Sequence, residues 1–434
     1  LPEAGFAASD ISELMPRGGE VLSMRIGEFL FKTTLVQTTM ARVLSEYRLM
    51  FFLCIAAVCS IGVAAQSITP PCQPGVSNRK TVVTAAQRKA AGNKAIPPIT
   101  DRQNGFAWPD SEFGVFKNHT AYTFFASDGA HHEGNNKSGS VTRTFGTLDN
   151  PVGSAPPIDV IIHPNPDAAV NPNYGSYTYL GGGRIYRVPA GRPGAGSLLD
   201  VYHAEINTTT SFYSLLGLAV SSDDGLHWTD LGEIIRPNQP YEADLAGFDM
   251  GSPRLVGSPD GRYFYVYFPD WIANGTTQPT TATIVSVARA PMASVLEAAF
   301  GEDPHAAAFE KYYEGAWTQP GIGGLSTDLN PSAGYAGSSN VASDRAFGRY
   351  VMITDDTQHI AYAESVDGLS WTLPVLLEQD ENSQTSFDYA VPIGMGDDPN
   401  LLGEQFYVFY TYGSAQGWPG NTVRRFTVTC KRSR

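Results

Sequence analysis

Long apolar runs are scarce in this chain, as are cysteine, histidine and positive charge, and each shortage closes off a class of function. The one run of membrane-like composition, residues 49–63, is shorter than the roughly 20 apolar residues a spanning helix requires, so no membrane partner is expected. Lys and Arg number 29 against 43 Asp and Glu, a net charge of −14 at pH 7. That surplus argues against nucleic acid as a partner and is indifferent to neutral sugars. Four cysteines and eight histidines show no zinc-site spacing. A phosphate-cradling glycine loop and a Gly-x-Ser-x-Gly elbow are likewise missing, and no cofactor is expected to be required.

Glycine and proline, by contrast, are plentiful at 44 and 30 residues, as short strands joined by many turns demand. The stretch 197–235 shows the unit. Residues 198–205 (LLDVYHAE) and 214–220 are apolar, β-branched and aromatic runs, followed by the turn Ser222-Asp223-Asp224-Gly225-Leu226-His227-Trp228 and a third strand at 231–235. In such a turn Asp accepts from nearby backbone N–H groups, Gly takes positive φ and Trp packs beneath. The core recurs as Ser365-Val366-Asp367-Gly368-Leu369-Ser370-Trp371. Runs that end on an acid also recur, closing at Asp128, Glu205, Asp270 and Asp356, with a fifth closing at Tyr412 without the acid. Five uneven units of this kind predict an all-β fold, a five-bladed β-propeller of four-stranded antiparallel blades with its termini closed together. A β-sandwich with long loops is the alternative.

Residues 40–65 carry a basic start (Arg42, Arg48), an apolar centre and Val63-Ala64-Ala65 before Gln66, the pattern of a secretory signal with cleavage expected after Ala65. Residues 1–39 precede it without an initial Met and read as translated sequence upstream of the native start. Cys54 and Cys59 fall in the signal, which leaves Cys72 and Cys430 to form a disulfide where the ring closes. Sequons at Asn118, Asn136, Asn207 and Asn274 agree with an extracellular glycoprotein. Residues 66–105 read as an N-terminal arm with a short helix near 85–91, and 106–434 as the propeller, expected to be monomeric. Blades are laid out over about 106–162, 177–235, from 248 through a strand at 281–288, 335–378 and 387–429, with a helix at 292–300 inserted in the third.

In a blade the innermost strand and its neighbour are antiparallel, so the start of the first and the end of the second share one face. Asp110, Asp249 and Asp388 stand at inner-strand openings, and Asp128, Glu205, Asp270 and Asp356 at second-strand ends, so a common mouth gathers all seven. Trp108, Arg184, His203 and Tyr389 are interleaved with them as substrate-binding candidates, together with Asp270, Asp356 and Asp388. Paired carboxyl groups and flat aromatic faces are what glycoside hydrolysis uses. Asp223 and Asp367 are read as turn-formers instead, and Trp228 and Trp371 as core.

With these residues over about 106–429, the chain resembles the five-bladed propeller glycoside hydrolases, the group of arabinanases, β-xylosidases, arabinofuranosidases and invertase-like enzymes. The resemblance implies a base Asp opening blade one, matched in place by Asp110, a second Asp that tunes the acid, and an acid Glu, often in Glu-x-Pro. Gly251-Ser252-Pro253 stands where Glu-x-Pro would be expected, so Glu205 is taken as the acid and Asp249 completes the catalytic set. Tyr186-Arg187-Val188-Pro189 with the Asp turn also resembles a sialidase motif, which implies an Arg fork on a sugar carboxylate. A secreted propeller lectin is the non-enzyme alternative. The expected partner is an oligo- or polysaccharide; Asp397-Asp398-Pro399 and Asp355-Asp356 are candidates for structural Ca²⁺.

Overall fold

The computed structural model describes residues 72–96, 106, 108–128, 141–160, 162–163, 177, 179–182, 184–207, 212–241, 250–271, 285–329, 338–414 and 420–431. They form a propeller of five small, mainly antiparallel sheets, not a sandwich. The chain enters with β1 (Gln73–Val83) and α1 (Ala85–Gly92), whose Thr84 cap closes a capping box with Gln87. Blade one is β2 (Gly114–Asn118), β3 (Ala121–Ser127), β4 (Val141–Gly146) and β5 (Ile158–Val160), in that order from the axis outward. In blade two, β6 (Ile162–His163) is an outermost parallel addition. A broken inner strand, β7 (Tyr179–Gly181) and β8 (Ile185–Arg187), pairs with β9 (Leu198–Asn207), and β10 (Phe212–Ser221) and β11 (Trp228–Ile235) follow.

Blade three has five strands: β12 (Arg254–Gly257), β13 (Tyr263–Phe268), β14 (Ser286–Pro291), β15 (Glu310–Tyr313) and β16 (Ala316–Pro320). The helix α2 (Met292–Phe300) follows β14 and buries Met292, Val295, Leu296 and Ala299. Blade four is β17 (Ser338–Asp344), β18 (Arg349–Asp356), β19 (His359–Ser365) and β20 (Val375–Gln379). Blade five runs from β21 (Thr385–Gly394), beyond which β22 (Leu401–Leu402) pairs back to β17, through β23 (Gln405–Ser414) and β24 (Thr422–Lys431).

The fourth strand of blade five is β1, antiparallel to β24 from Gln73↔Lys431 to Val83↔Val423. This corrects the reading of the first residues after the signal as an arm lying on the domain, because Gln73–Val83 completes a blade. Its side chains are mostly exposed, so the strand lacks the alternation by which the others are recognised. The disulfide Cys72–Cys430, joining residues 358 apart in sequence, ties the same two strands together. Since a cross-link over so long a loop acts mainly on the unfolded chain, Cys72→Ala with Cys430→Ala is expected to cost on the order of 2–4 kcal/mol, read as a lower urea midpoint.

The core is divided among the blade interfaces. One cluster joins Leu199, Val201 and Leu218 of blade two to Phe264 and Val266 of blade three, and four others fill the remaining interfaces. The last of these sets Val391, Ile393 and Phe409 of blade five against Phe113, Val115 and Phe124 of blade one, which closes the ring. The Asp turns serve this packing. Asp223 Oδ1 accepts from the backbone N–H of Leu226 at 3.1 Å and of His227 at 3.0 Å, while Gly225 at φ 79° lies where a Cβ would meet Phe125 Cζ at 2.4 Å. Trp228 is buried edge-on to Phe125 at 5.9 Å. In the second turn Asp367 accepts from Leu369 and Ser370, and half-buried Trp371 meets Tyr267. The turn-forming role expected of both aspartates is therefore what the bonding shows. No helix among the described residues is long and apolar enough to cross a membrane.

Candidate active site

Inner strands all run from one mouth of the ring to the other, and the starting mouth holds a cavity of about 280 Å³. Asp110 and Ser111 reach it from just before β2, Gly251–Pro253 from just before β12, and Tyr389 from early in β21. Second strands contribute Ser127 at the end of β3 and His203 and Glu205 in β9. Tyr179, at the start of blade two's inner strand, sits opposite Glu205 in register.

Asp110 is fixed from two sides. Its N–H donates to Ser127 O at 2.8 Å, and the Tyr389 hydroxyl donates to its Oδ1 at 2.9 Å. Glu205 Oε1 lies 3.7 Å from His203 Nε2, and His203 meets the Tyr179 ring edge-on at 5.8 Å. His203 and Glu205 are two residues apart, so the alternation of a strand puts both on one face. Burial raises the Tyr179 and Tyr389 phenols well above their ordinary range, and the Asp110 charge pushes them further. Both phenols are thus held protonated, and that of Tyr389 donates to Asp110. Ser252 and Tyr389 hold positive φ of 51° and 59°, conformations that side-chain-bearing residues rarely adopt and that cluster at functional sites. Tyr389 sits at the register shift between Asp388 and Val391, which turns its ring toward blade one.

Asp388 is beside this group and does not line the cavity. Burial raises its carboxyl, a hydrogen bond from Ser386 at 2.8 Å partly offsets this, and the Asp110 charge adds to the rise. For an acid with a raised folded value, native stability is greatest when both states are protonated and falls as pH climbs from the unfolded to the folded value. Asp388→Asn is therefore expected to raise the melting temperature at pH 7 and leave it nearly unchanged at pH 3, as thermal unfolding at the two pH values would show.

The other sequence candidates lie elsewhere. Trp108 is fully buried in the interface of blades five and one, stacked on Phe106 and tilted against Phe113, so it belongs to the core and cannot offer a face to substrate. Arg184 is 3% exposed, and its guanidinium donates to Asn400 Oδ1, Val341 O and Pro392 O. It braces the channel wall toward the opposite mouth instead of entering the cavity. Asp270 is buried, accepting from Ser326 Oγ at 2.6 Å with Lys311 Nζ 3.8 Å away. Asp356 caps the β18–β19 turn through the N–H groups of Gln358 and His359. Asp249 falls in 242–249, outside the described residues. As for calcium, Asp397 pairs with Lys117, Asp398 caps Asn400, Asp355 accepts from Ala390 N and Asp356 holds its turn. None of these carboxylates belongs to a converging group of three among the described residues.

Sequence reasoning passed over the support beneath the cavity. Arg254, fully buried, pairs with Glu112 and donates through Nε to Asn340 Oδ1 and through Nη1 to Pro253 O. Asn340 Nδ2 donates back to Glu112 Oε1 at 3.2 Å. Glu112 and Pro253 are close in sequence to Asp110 and Ser252, so the network ties blades one, three and four together directly under the site. An acid two residues after Asp110 was a visible signal; its partner from blade three was not. The sialidase-like segment Tyr186–Pro189 does not reach this cavity: Arg187 Nη2 is 3.3 Å from Asp224 Oδ1, and its guanidinium lies over Phe116.

No family model matches the sequence, and no curated protein matches it. Solved structures do resemble it. The catalytic domain of a Coprinopsis cinerea α-L-arabinofuranosidase is 10% identical with a TM-score of 0.44, covering 84% of this chain and 99% of its own. An exo-β-1,3-galactanase from Phanerochaete chrysosporium, seen with β-1,3-galactotriose, is 8% identical with a TM-score of 0.45, over 82% and 67%. A Penicillium chrysogenum α-L-arabinanase complexed with arabinobiose is 10% identical with a TM-score of 0.40, over 82% and 98%. By name these similar structures are enzymes that act on glycans, and that is said of them and not of this chain.

Proposed function

We propose that the chain is a secreted glycosidase that works on a neutral oligo- or polysaccharide of plant or microbial origin at the cavity of the starting mouth. The observation that carries this reading is the convergence of Asp110, Glu205 with His203, and Tyr389 from three separate blades onto one small cavity. Its volume is at the low end for small-molecule sites, which suits the single sugar at a chain end. Glu205 is the proton donor: it gives its proton to the glycosidic oxygen as the bond from that oxygen to the anomeric carbon breaks. Asp110, held by the Tyr389 hydroxyl, is the base that takes a proton from the water whose oxygen bonds to that carbon. Asp110 then releases its proton to solvent and Glu205 takes one up, which restores both groups for the next cycle. His203 orients Glu205, and the Tyr179 and Tyr389 hydroxyls are placed to position sugar oxygens.

Export is supported by the signal pattern in residues 40–65 and by the disulfide, a bond favoured in oxidising compartments. The test of activity is a screen of the purified protein against aryl arabinofuranosides, xylosides and galactosides, with sialosides as the competing arm. Hydrolysis of a neutral glycoside is expected. Hydrolysis of sialosides alone would replace this reading with the sialidase one, and binding of glycans without cleavage would favour a lectin.

A further inference from the structure

The inner strands end at a second mouth, and the cavity there, of about 560 Å³, is twice the volume of the first. It is lined by the ends of β8, β12 and β17 and by the segment leading into β22, so nearly the whole depth of the ring separates it from Asp110 and Glu205. Its charge is opposite to that of the molecule. Arg184, Arg187, Arg192 and Arg345 face it against Asp344 and Asp398, a positive balance within a chain of net charge −14. Arg184 and Arg187 are already engaged, and Asp344 and Asp398 cap the backbone N–H groups of Ala346 and Asn400. Arg192 and Arg345 are exposed and make no ion pair among the described residues. Between them the wall is apolar: Tyr186, locked edge-on against Phe264 at 4.8 Å, with Met292, Leu255 and Pro189.

We infer that this second mouth is a binding site for an acidic carbohydrate, with Arg192 and Arg345 gripping a sugar carboxylate and the Tyr186–Met292 wall receiving the ring. A guanidinium fork matches a carboxylate with two parallel N–H···O bonds, and a ring carrying C–H faces suits an aromatic and thioether surface. Gly257 leaves the room for it, since a Cβ there would stand 3.3 Å from Met292 Cε and 3.4 Å from Tyr186 Cε2. The site rests on the fold and on these side chains, and is independent of the hydrolytic reading of the first mouth.

The test is calorimetric titration of the full protein with digalacturonate at low salt, with uncharged galactobiose as the control. One digalacturonate is expected to bind per chain, equally well in Asp110→Asn. Binding should weaken at least about tenfold in Arg192→Glu with Arg345→Glu, the loss of a charge-assisted bond, and should fall as salt is added. Both arginines are exposed, so the double variant is expected to keep its circular dichroism spectrum. Gly257→Leu, which fills the space between Tyr186 and Met292, should abolish binding without any change of charge. Absence of binding to the unaltered protein would overturn the inference. So would unchanged affinity in the charge-reversed variant, or loss of binding in Asp110→Asn, which would place the acidic sugar at the first mouth.

Discussion

Asp110→Asn and Glu205→Gln are each expected to lower hydrolysis of the best neutral aryl glycoside by about 10²–10⁴-fold, the usual contribution of a positioned acid or base, while thermal unfolding stays close to that of the unaltered protein. The two losses should differ in kind. With an activated leaving group that needs no proton, the Glu205 variant should recover part of its rate, whereas the Asp110 variant should not, because its defect lies in activating water. Tyr389→Phe should give a smaller loss, since it removes one hydrogen bond to Asp110 and no reacting group. If both carboxyl variants retain full rate, the assignment of chemistry to this cavity is wrong.

The second large effect is expected one layer below. Arg254→Met leaves the buried Glu112 carboxylate without its ion partner and Asn340 without a donor to its carbonyl oxygen. Breaking a buried pair from one side typically costs about 3–5 kcal/mol, whereas replacing both members with apolar groups of similar volume is often neutral. The single variant should therefore unfold at a much lower urea concentration, and Arg254→Met with Glu112→Leu should recover most of the loss. A cost below about 1 kcal/mol for the single variant would mean that the network is incidental. Burial already pulls the Arg254 guanidinium well below its ordinary range, with the charge of Asp355 opposing that pull, so the pair is held against a desolvation cost. A network of that kind fixes the relative placement of three blades, and Asp110 and Ser252 stand on it.

What the sequence revealed, and what it hid, divides along the axis of the ring. Strand runs, turns and blade order were legible because each is local: alternation, a Gly at positive φ, a Trp under its turn. Asp110 and Glu205 both line the cavity, as antiparallel pairing alone would have it by placing inner-strand starts and second-strand ends at one mouth. The same rule also selected Asp270 and Asp356, and there it ran out. Asp270 meets Lys311, a residue from an outer strand whose pairing no local pattern announces, while Asp356 lies one residue past Asp355, and that single step exchanges a carboxylate turned toward blade five for one that caps its own turn. Trp108 looked like a sugar platform because of its neighbour Asp110, but residues before a strand do not keep strand parity, and its ring packs between blades. Arg184 was placed with the acids by its closeness to the inner strand of blade two. In the folded ring it reaches across the channel to the backbone of blades four and five.

Closing the last blade with β1 has a consequence for how the molecule is made. Synthesis delivers Gln73–Val83 before the described strands of the other blades and its partner β24 after them, so this strand must wait, unpaired and with an open edge, while those blades are laid down. Its polar, largely exposed side chains suit that wait, since they give it little reason to associate with the wrong sheet. The final step of assembly is therefore the most non-local strand pairing among the described residues, and a ribosome stalled just short of β24 would hold a nearly complete wheel with one loose spoke.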